Sequence, residues 1–190
     1  MNWIAYGPSP AKPSKNYLFA HRTAFIFGML LWCLSINISF AQTLPPPTYP
    51  RVVGYLGIVH PLLTIDEGGS EINFKDHYVV GFPIGLNLWK SKQIGFSVEV
   101  VPLIRAQDGT SRVANVLFHP GVLVNLGHDF TFAGRLAFET SGRYGVTPVL
   151  NKIVRHGQTL NYFVAIPLPV RFGNDRPISA TVSFQFGIVF

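Results

Sequence analysis

From Arg51 onward, apolar side chains recur at every second position, the period of a strand with two unlike faces. In "FTFAGRLAFETS", Phe130, Phe132, Leu136 and Phe138 share one face, opposite Thr131, Ala133, Arg135, Ala137, Glu139 and Ser141. In "IGFSVEV", Ile94, Phe96, Val98 and Val100 oppose Gly95, Ser97 and Glu99. In "YFVAIPLPVRF", Tyr162, Val164, Ile166, Leu168, Val170 and Phe172 oppose Phe163, Ala165, two prolines and Arg171. The final run is the most regular, with Ile178, Ala180, Val182, Phe184, Phe186, Ile188 and Phe190 against Ser179, Thr181, Ser183, Gln185, Gly187 and Val189. No stretch of this region carries the 3.6-residue period of a helix.

The pattern predicts eight strands, near 51–63, 78–88, 94–104, 113–125, 130–141, 146–155, 161–172 and 178–190. Turn-forming residues separate them at 89–93, 126–129 and 172–177, and longer polar connections are expected at 64–76 and 105–112. The sixth run, "VTPVLNKIVR", alternates poorly, and without it the count is seven. An antiparallel barrel whose first strand begins where its last one ends needs an even number, which selects eight.

The contrast between the faces decides the environment. A water-soluble sandwich or barrel hides its apolar face and turns a charged one outward. Here the second face is mostly Gly, Ala, Ser, Thr and Asn, with isolated charges at Glu99, Arg135, Glu139 and Arg171, while the apolar face carries the largest rings. Those proportions predict an inside-out arrangement: an all-β, single antiparallel up-and-down transmembrane β-barrel, bulky groups toward lipid and small or polar ones filling a narrow lumen. Closure would also satisfy every backbone group without water.

The first fifty residues read differently. Lys12, Lys15 and Arg22 precede an uncharged run, "TAFIFGMLLWCLSINISF", that ends in Ser39-Phe40-Ala41. A basic region, an apolar stretch and small residues at the cleavage positions predict a secretory signal peptide over 1–41. An uncleaved anchor is the competing reading, although about 18 residues barely span a bilayer. Residues 42–50, with "LPPPTYP", read as an extended proline-rich periplasmic leader, or else as a polyproline ligand. The barrel is expected over 51–190.

Composition refines this. Charged residues make up 13 % of the 190, while glycine (18), proline (15) and phenylalanine (16) are abundant; an average soluble domain holds roughly 25 % charge. Cleavage after Ala41 would remove Cys33, the single cysteine, and reduce 15 basic residues to 12 against 9 acidic, a net charge of about +3. No basic run or aromatic-basic interleaving accompanies that excess, so no nucleic-acid partner is expected.

With its signal peptide, its alternation of short turns and longer loops, and its terminal "FQFGIVF", the chain resembles small bacterial outer-membrane β-barrels of the OmpA/OmpX-like class, and more specifically the barrel domains abundant in Bacteroidetes. The resemblance implies a Gram-negative outer-membrane location with lipid as the surrounding medium. It also implies recognition by the barrel-assembly machinery of a last strand ending in phenylalanine, here Phe184, Phe186 and Phe190. The class has no shared active site to carry over.

Candidate chemistry is sparse. Glu99, Arg135, Glu139 and Arg171 on the lumen face are expected to form a polar network that plugs or gates the barrel, since eight strands leave room only for side chains. His60, His77, His119, His128 and His156 lack metal-ligand spacing, and no cofactor is expected. His119 and Glu99 could supply two members of a Ser-His-acid set in a lipid hydrolase, but no G-x-S-x-G is present. Asp66, Glu67, Glu71 and Asp76 lack the alternation of a calcium loop and read as a solvated loop. The function these features favour is a structural or interaction protein acting through its loops, with an extracellular or periplasmic protein as partner. The alternatives are a narrow, porin-like channel for a small or hydrophobic solute, and a periplasmic lipocalin-like barrel holding an apolar ligand.

Overall fold

The computed structural model describes residues 48–190, so the signal-peptide reading, and most of the leader, fall outside the described residues. From Arg51 the chain is entirely strand and turn. Its elements are β1 (Arg51–Asp66), β2 (Gly69–Ile72), β3 (Tyr78–Gly81), β4 (Ile84–Trp89), β5 (Ile94–Gln107) and β6 (Thr110–Gly127). They continue with β7 (Phe130–Glu139), β8 (Tyr144–His156), β9 (Asn161–Pro167), β10 (Val170–Phe172) and β11 (Ser179–Val189). All pair antiparallel in one sheet, and β1 pairs with β11 from Tyr55↔Val189 to Ile65↔Ala180, closing the sheet on itself as a β-barrel. Reciprocal backbone bonds between Gly54 and Phe190, 3.0 and 2.9 Å, extend that closure to the chain's last residue.

Eleven strands stand where eight were expected, for three local reasons. The run 78–88 breaks into β3 and β4 at Phe82-Pro83, because Pro83 has no N–H to give a ladder. The run 161–172 breaks into β9 and β10 across Leu168-Pro169 for the same reason. The third addition is β2, inside the expected loop 64–76. There β1 continues through Asp66, and a turn held by Gly68 N–H to Asp66 Oδ1 (2.8 Å) folds Gly69–Ile72 back onto Leu63–Asp66. The expected connection 105–112 is also strand. Asp108 and Gly109 alone form the turn, at φ +51° and +74°. Positive φ at both central residues is the twist-matched hairpin turn that Asp-Gly favours, so β5 and β6 pair all the way to Gln107↔Thr110.

The faces divide as the alternation predicts. Along β5, Ser97 and Glu99 are 1 % and 3 % exposed, while Phe96 and Val98 between and beside them are 51 % and 47 % exposed. Glu99, His119, Arg135, Thr147, Arg171, Ser183 and Gln185 are all buried inside the ring, and Phe118, Leu136, Phe138, Ile166, Val182 and Phe184 lie on its outer surface.

The interior departs from the expected filling of small and polar residues in one layer. Tyr55, Leu123, Val149 and Phe163 pack with Ala133 and Ala165, flanked by Trp89, Ile153 and Val189. Tyr55 and Phe163 meet edge to face at 6.2 Å between centroids. This apolar layer lies toward the end that carries Arg51, Phe190 and the turns at 90–93, 128–129 and 157–160. The opposite end carries the β1–β2 and β5–β6 hairpins and the connections 140–143 and 173–178.

Candidate functional site

Above the apolar layer, one row of paired residues crosses the barrel wall. Tyr55 is in register with Gly85, Gly85 with Glu99, and Glu99 with His119. All have the inward parity, so their side chains converge. Gly85 is what allows Tyr55 to reach across: a Cβ there would overlap the Tyr55 ring and its hydroxyl. The hydroxyl donates to Glu99 Oε2 at 2.8 Å.

Arg135 reaches Glu99 from β7, with Nη1 3.2 Å from Oε2. Its Nη2 donates to the Tyr55 hydroxyl at 3.0 Å and to Ser97 Oγ at 3.3 Å. On the other side, His119 Nδ1 lies 2.9 Å from Glu99 Oε1, and His119 Nε2 lies 3.2 Å from Arg171 Nη2. A guanidinium only donates, so Nε2 must accept and the proton sits on Nδ1, pointing at Glu99. His119 is therefore a neutral bridge between two ion pairs.

The second pair is Arg171 and Glu139, joined by Nε to Oε1 at 2.8 Å. Arg171 Nη1 also donates to Thr147 Oγ1 and to the Val146 carbonyl, both at 3.0 Å. Glu139 Oε2 accepts from Asn115 Nδ2 at 2.5 Å and from Ser141 Oγ at 2.9 Å. Buried charges persist when each is paired and its remaining bonds are filled, and both conditions hold here with the exception of Arg135 Nε, which has no partner.

All four lumen residues expected from the sequence, Glu99, Arg135, Glu139 and Arg171, thus fall within one connected set. Tyr55, Ser97, Thr147, Asn115 and Ser141 belong to it too and were missed. Their inward parity was available, but nothing local marks which neutral residues a charge will choose. As for hydrolase chemistry, His119 Nε2, the nitrogen that would take a nucleophile's proton, is held by Arg171, and no hydroxyl bonds to His119 among the described residues. Phe184, Phe186 and Phe190 all face outward. Within the expected acidic loop, Glu71 sits 3.2 Å from His77 Nδ1 and 3.8 Å from Arg105 Nη2.

The network divides the interior. A cavity of about 180 Å³ opens toward the apolar end, and one of about 380 Å³ toward the hairpin end. Arg135, Val149 and Gln185 line both, so a single layer of side chains stands between them.

No protein-family model and no curated protein sequence matches the chain. It is similar to a solved structure described as "De novo design of transmembrane beta-barrels", at 11 % sequence identity and a TM-score of 0.44, over 76 % of this chain and 98 % of that one. At that level the likeness carries no argument; the closed antiparallel sheet rests on the strand pairing itself.

Proposed function

We propose that this chain is a small outer-membrane β-barrel, exported through its first 41 residues, whose lumen is closed and which acts as a structural or interaction protein through its hairpin end. The observation that carries this reading is the inversion of the faces: along the middle of the strands Glu99, Arg135, Glu139 and Arg171 point inward and pair with one another, and the outer surface presents Phe, Leu, Ile and Val. A barrel in water would gain by the opposite arrangement. In a bilayer the outer face meets hydrocarbon, and the charges are met by partners rather than by lipid.

In this reading the eleven strands make eight staves. β2, β3 and β4 together occupy the interval between β1 and β5, and β9 and β10 share the interval between β8 and β11. Staves such as β5, with 14 residues, and β7, with 10, are long enough to cross hydrocarbon while tilted. Eight staves enclose a narrow lumen, and the network through the Glu99–Arg135 and Glu139–Arg171 pairs crosses it.

The test has two readouts on the mature protein. Electrophoretic mobility from outer-membrane fractions should shift on boiling, and planar bilayers holding the protein should show no steady openings. Recovery in the soluble periplasmic fraction, with no shift, would overturn the membrane reading and favour the lipocalin-like one. Steady conductance would overturn the closed lumen and favour a channel.

A further inference from the structure

The larger cavity reaches the hairpin end of the barrel, where Glu71 and Arg176, both exposed, stand at its rim. Its volume of about 380 Å³ lies within the range of small-molecule sites, roughly 300–1,000 Å³. Two features of its wall lie outside the buried ion pairs.

The first is charge. Five arginines and three glutamates line the cavity. Arg135 holds Glu99, Arg171 holds Glu139, and Glu71 is met by His77 and Arg105. Arg143 and Arg176 are left, with no carboxylate partner among the described residues. Arg143 is held in place without being neutralised. Its Nη2 donates to the carbonyls of Arg171 and Pro177, at 3.1 and 2.8 Å, which sets it beside the connection that carries Arg176. Its Nη1 has no partner among the described residues. Two unneutralised guanidinium groups over a partly enclosed cavity attract an anion, and carboxylate suits their fork.

The second is a row of spare hydrogen-bonding groups on β11. Alternate residues of a strand share a face, so Ser179, Thr181, Ser183 and Gln185 run in line from the mouth of the cavity to its floor. Ser179, Ser183 and Gln185 are each more than nine-tenths buried. Thr181 meets Thr64 Oγ1 at 3.0 Å. The side chains of the other three have no hydrogen-bond partner among the described residues. Buried polar groups need partners, and here a ligand's hydroxyls can serve. From Ser179 to Ser183 the row spans roughly 14 Å, at about 3.4 Å per residue, the length of about two sugar units. Across the lumen, Leu103 of β5 and Leu117 of β6 supply an apolar wall for the C–H face of a sugar ring.

We infer that the hairpin-end cavity binds a sugar acid, its carboxylate on Arg143 and Arg176 and its hydroxyls on Ser179, Ser183 and Gln185. This goes beyond the closed-lumen reading and does not depend on the membrane. It needs only the closed sheet and the cavity within it.

The experiment titrates the mature protein, folded in detergent, with lactobionate, a sugar acid of two units, and measures the heat. Lactitol, the matching compound without a carboxylate, and hexanoate, a carboxylate without hydroxyls, are titrated alongside. Each sample is also run boiled and unboiled, to show that the barrel is intact. The expected result is saturable binding of one lactobionate per barrel, with lactitol and hexanoate at least tenfold weaker. Arg176→Gln should weaken lactobionate at least tenfold and leave lactitol unchanged. Arg176 makes no side-chain hydrogen bond among the described residues, so this change leaves the fold intact. Ser179→Ala with Ser183→Ala should weaken lactobionate at least tenfold and leave hexanoate unchanged.

Hexanoate binding as tightly as lactobionate would overturn the sugar acid and leave a simple anion site. Lactitol binding as tightly would overturn the part given to the arginines. No saturable lactobionate binding, or binding that neither variant weakens, would overturn the inference while the closed lumen stands. Recovery in the soluble fraction overturns only the membrane reading, and the same titration is then run without detergent.

Discussion

Arg171 Nη2 lies 3.2 Å from His119 Nε2, and that contact joins the two buried ion pairs into one network. Because the guanidinium cannot accept a hydrogen bond, the imidazole is held neutral with its proton on Nδ1. Nitrogen NMR of the folded barrel should show His119 as the Nδ1–H tautomer; the Nε2–H form would contradict the assignment. A His119→Leu variant leaves Glu99 and Arg171 each one partner short and should cost about 1–3 kcal/mol. Urea unfolding from vesicles, tracked by the boiling-sensitive band, measures it.

Glu99 holds three groups at once: Tyr55, His119 and Arg135. Replacing it with leucine strands a buried guanidinium and should destabilise the barrel by about 3–5 kcal/mol. Removing both charges, Glu99→Leu with Arg135→Leu, should cost less than Glu99→Leu alone, because no charge is then left without its partner. A double variant worse than the single would mean that the pair itself, rather than its completeness, stabilises the barrel.

Gly85 and Tyr55 form a second coupled pair. A methyl group at Gly85 would enter the space of the tyrosine ring, so Gly85→Ala should cost about 1–3 kcal/mol by overpacking. In a Tyr55→Ala background the same change should fall below about 0.5 kcal/mol, since the clash has gone. Equal costs in both backgrounds would place the strain elsewhere.

Arg135 separates the two cavities together with Val149 and Gln185. Truncating it, in Arg135→Ala, removes the largest of the three barriers. In planar bilayers this variant should show openings that the parent lacks, provided its band still shifts on boiling. Silence from a correctly folded variant would mean that the apolar layer of Leu123, Phe163 and Tyr55 closes the lumen by itself.

Much of this protein was legible before any coordinate. Alternation with period two assigns a face to each residue, and the four charges on the small-residue face mark the lumen because a strand cannot turn one side chain outward without turning its neighbours inward. Some misread detail was local as well. The Asp108-Gly109 pair is a hairpin signal within the expected connection 105–112, and Pro83, Pro167 and Pro169 each announce a break in a ladder.

Other features depend on which strands become neighbours. Glu99 could have met Arg171 rather than Arg135; the register Glu99↔His119 and Gly121↔Arg135 decides it, bringing residues 36 positions apart within reach. The selection of Tyr55 over other inward hydroxyls depends on Gly85 falling between it and Glu99, a relation between three strands. Parity belongs to a single strand and is written in its sequence. Partner choice belongs to the closed sheet, because register and closure alone set the distances across it.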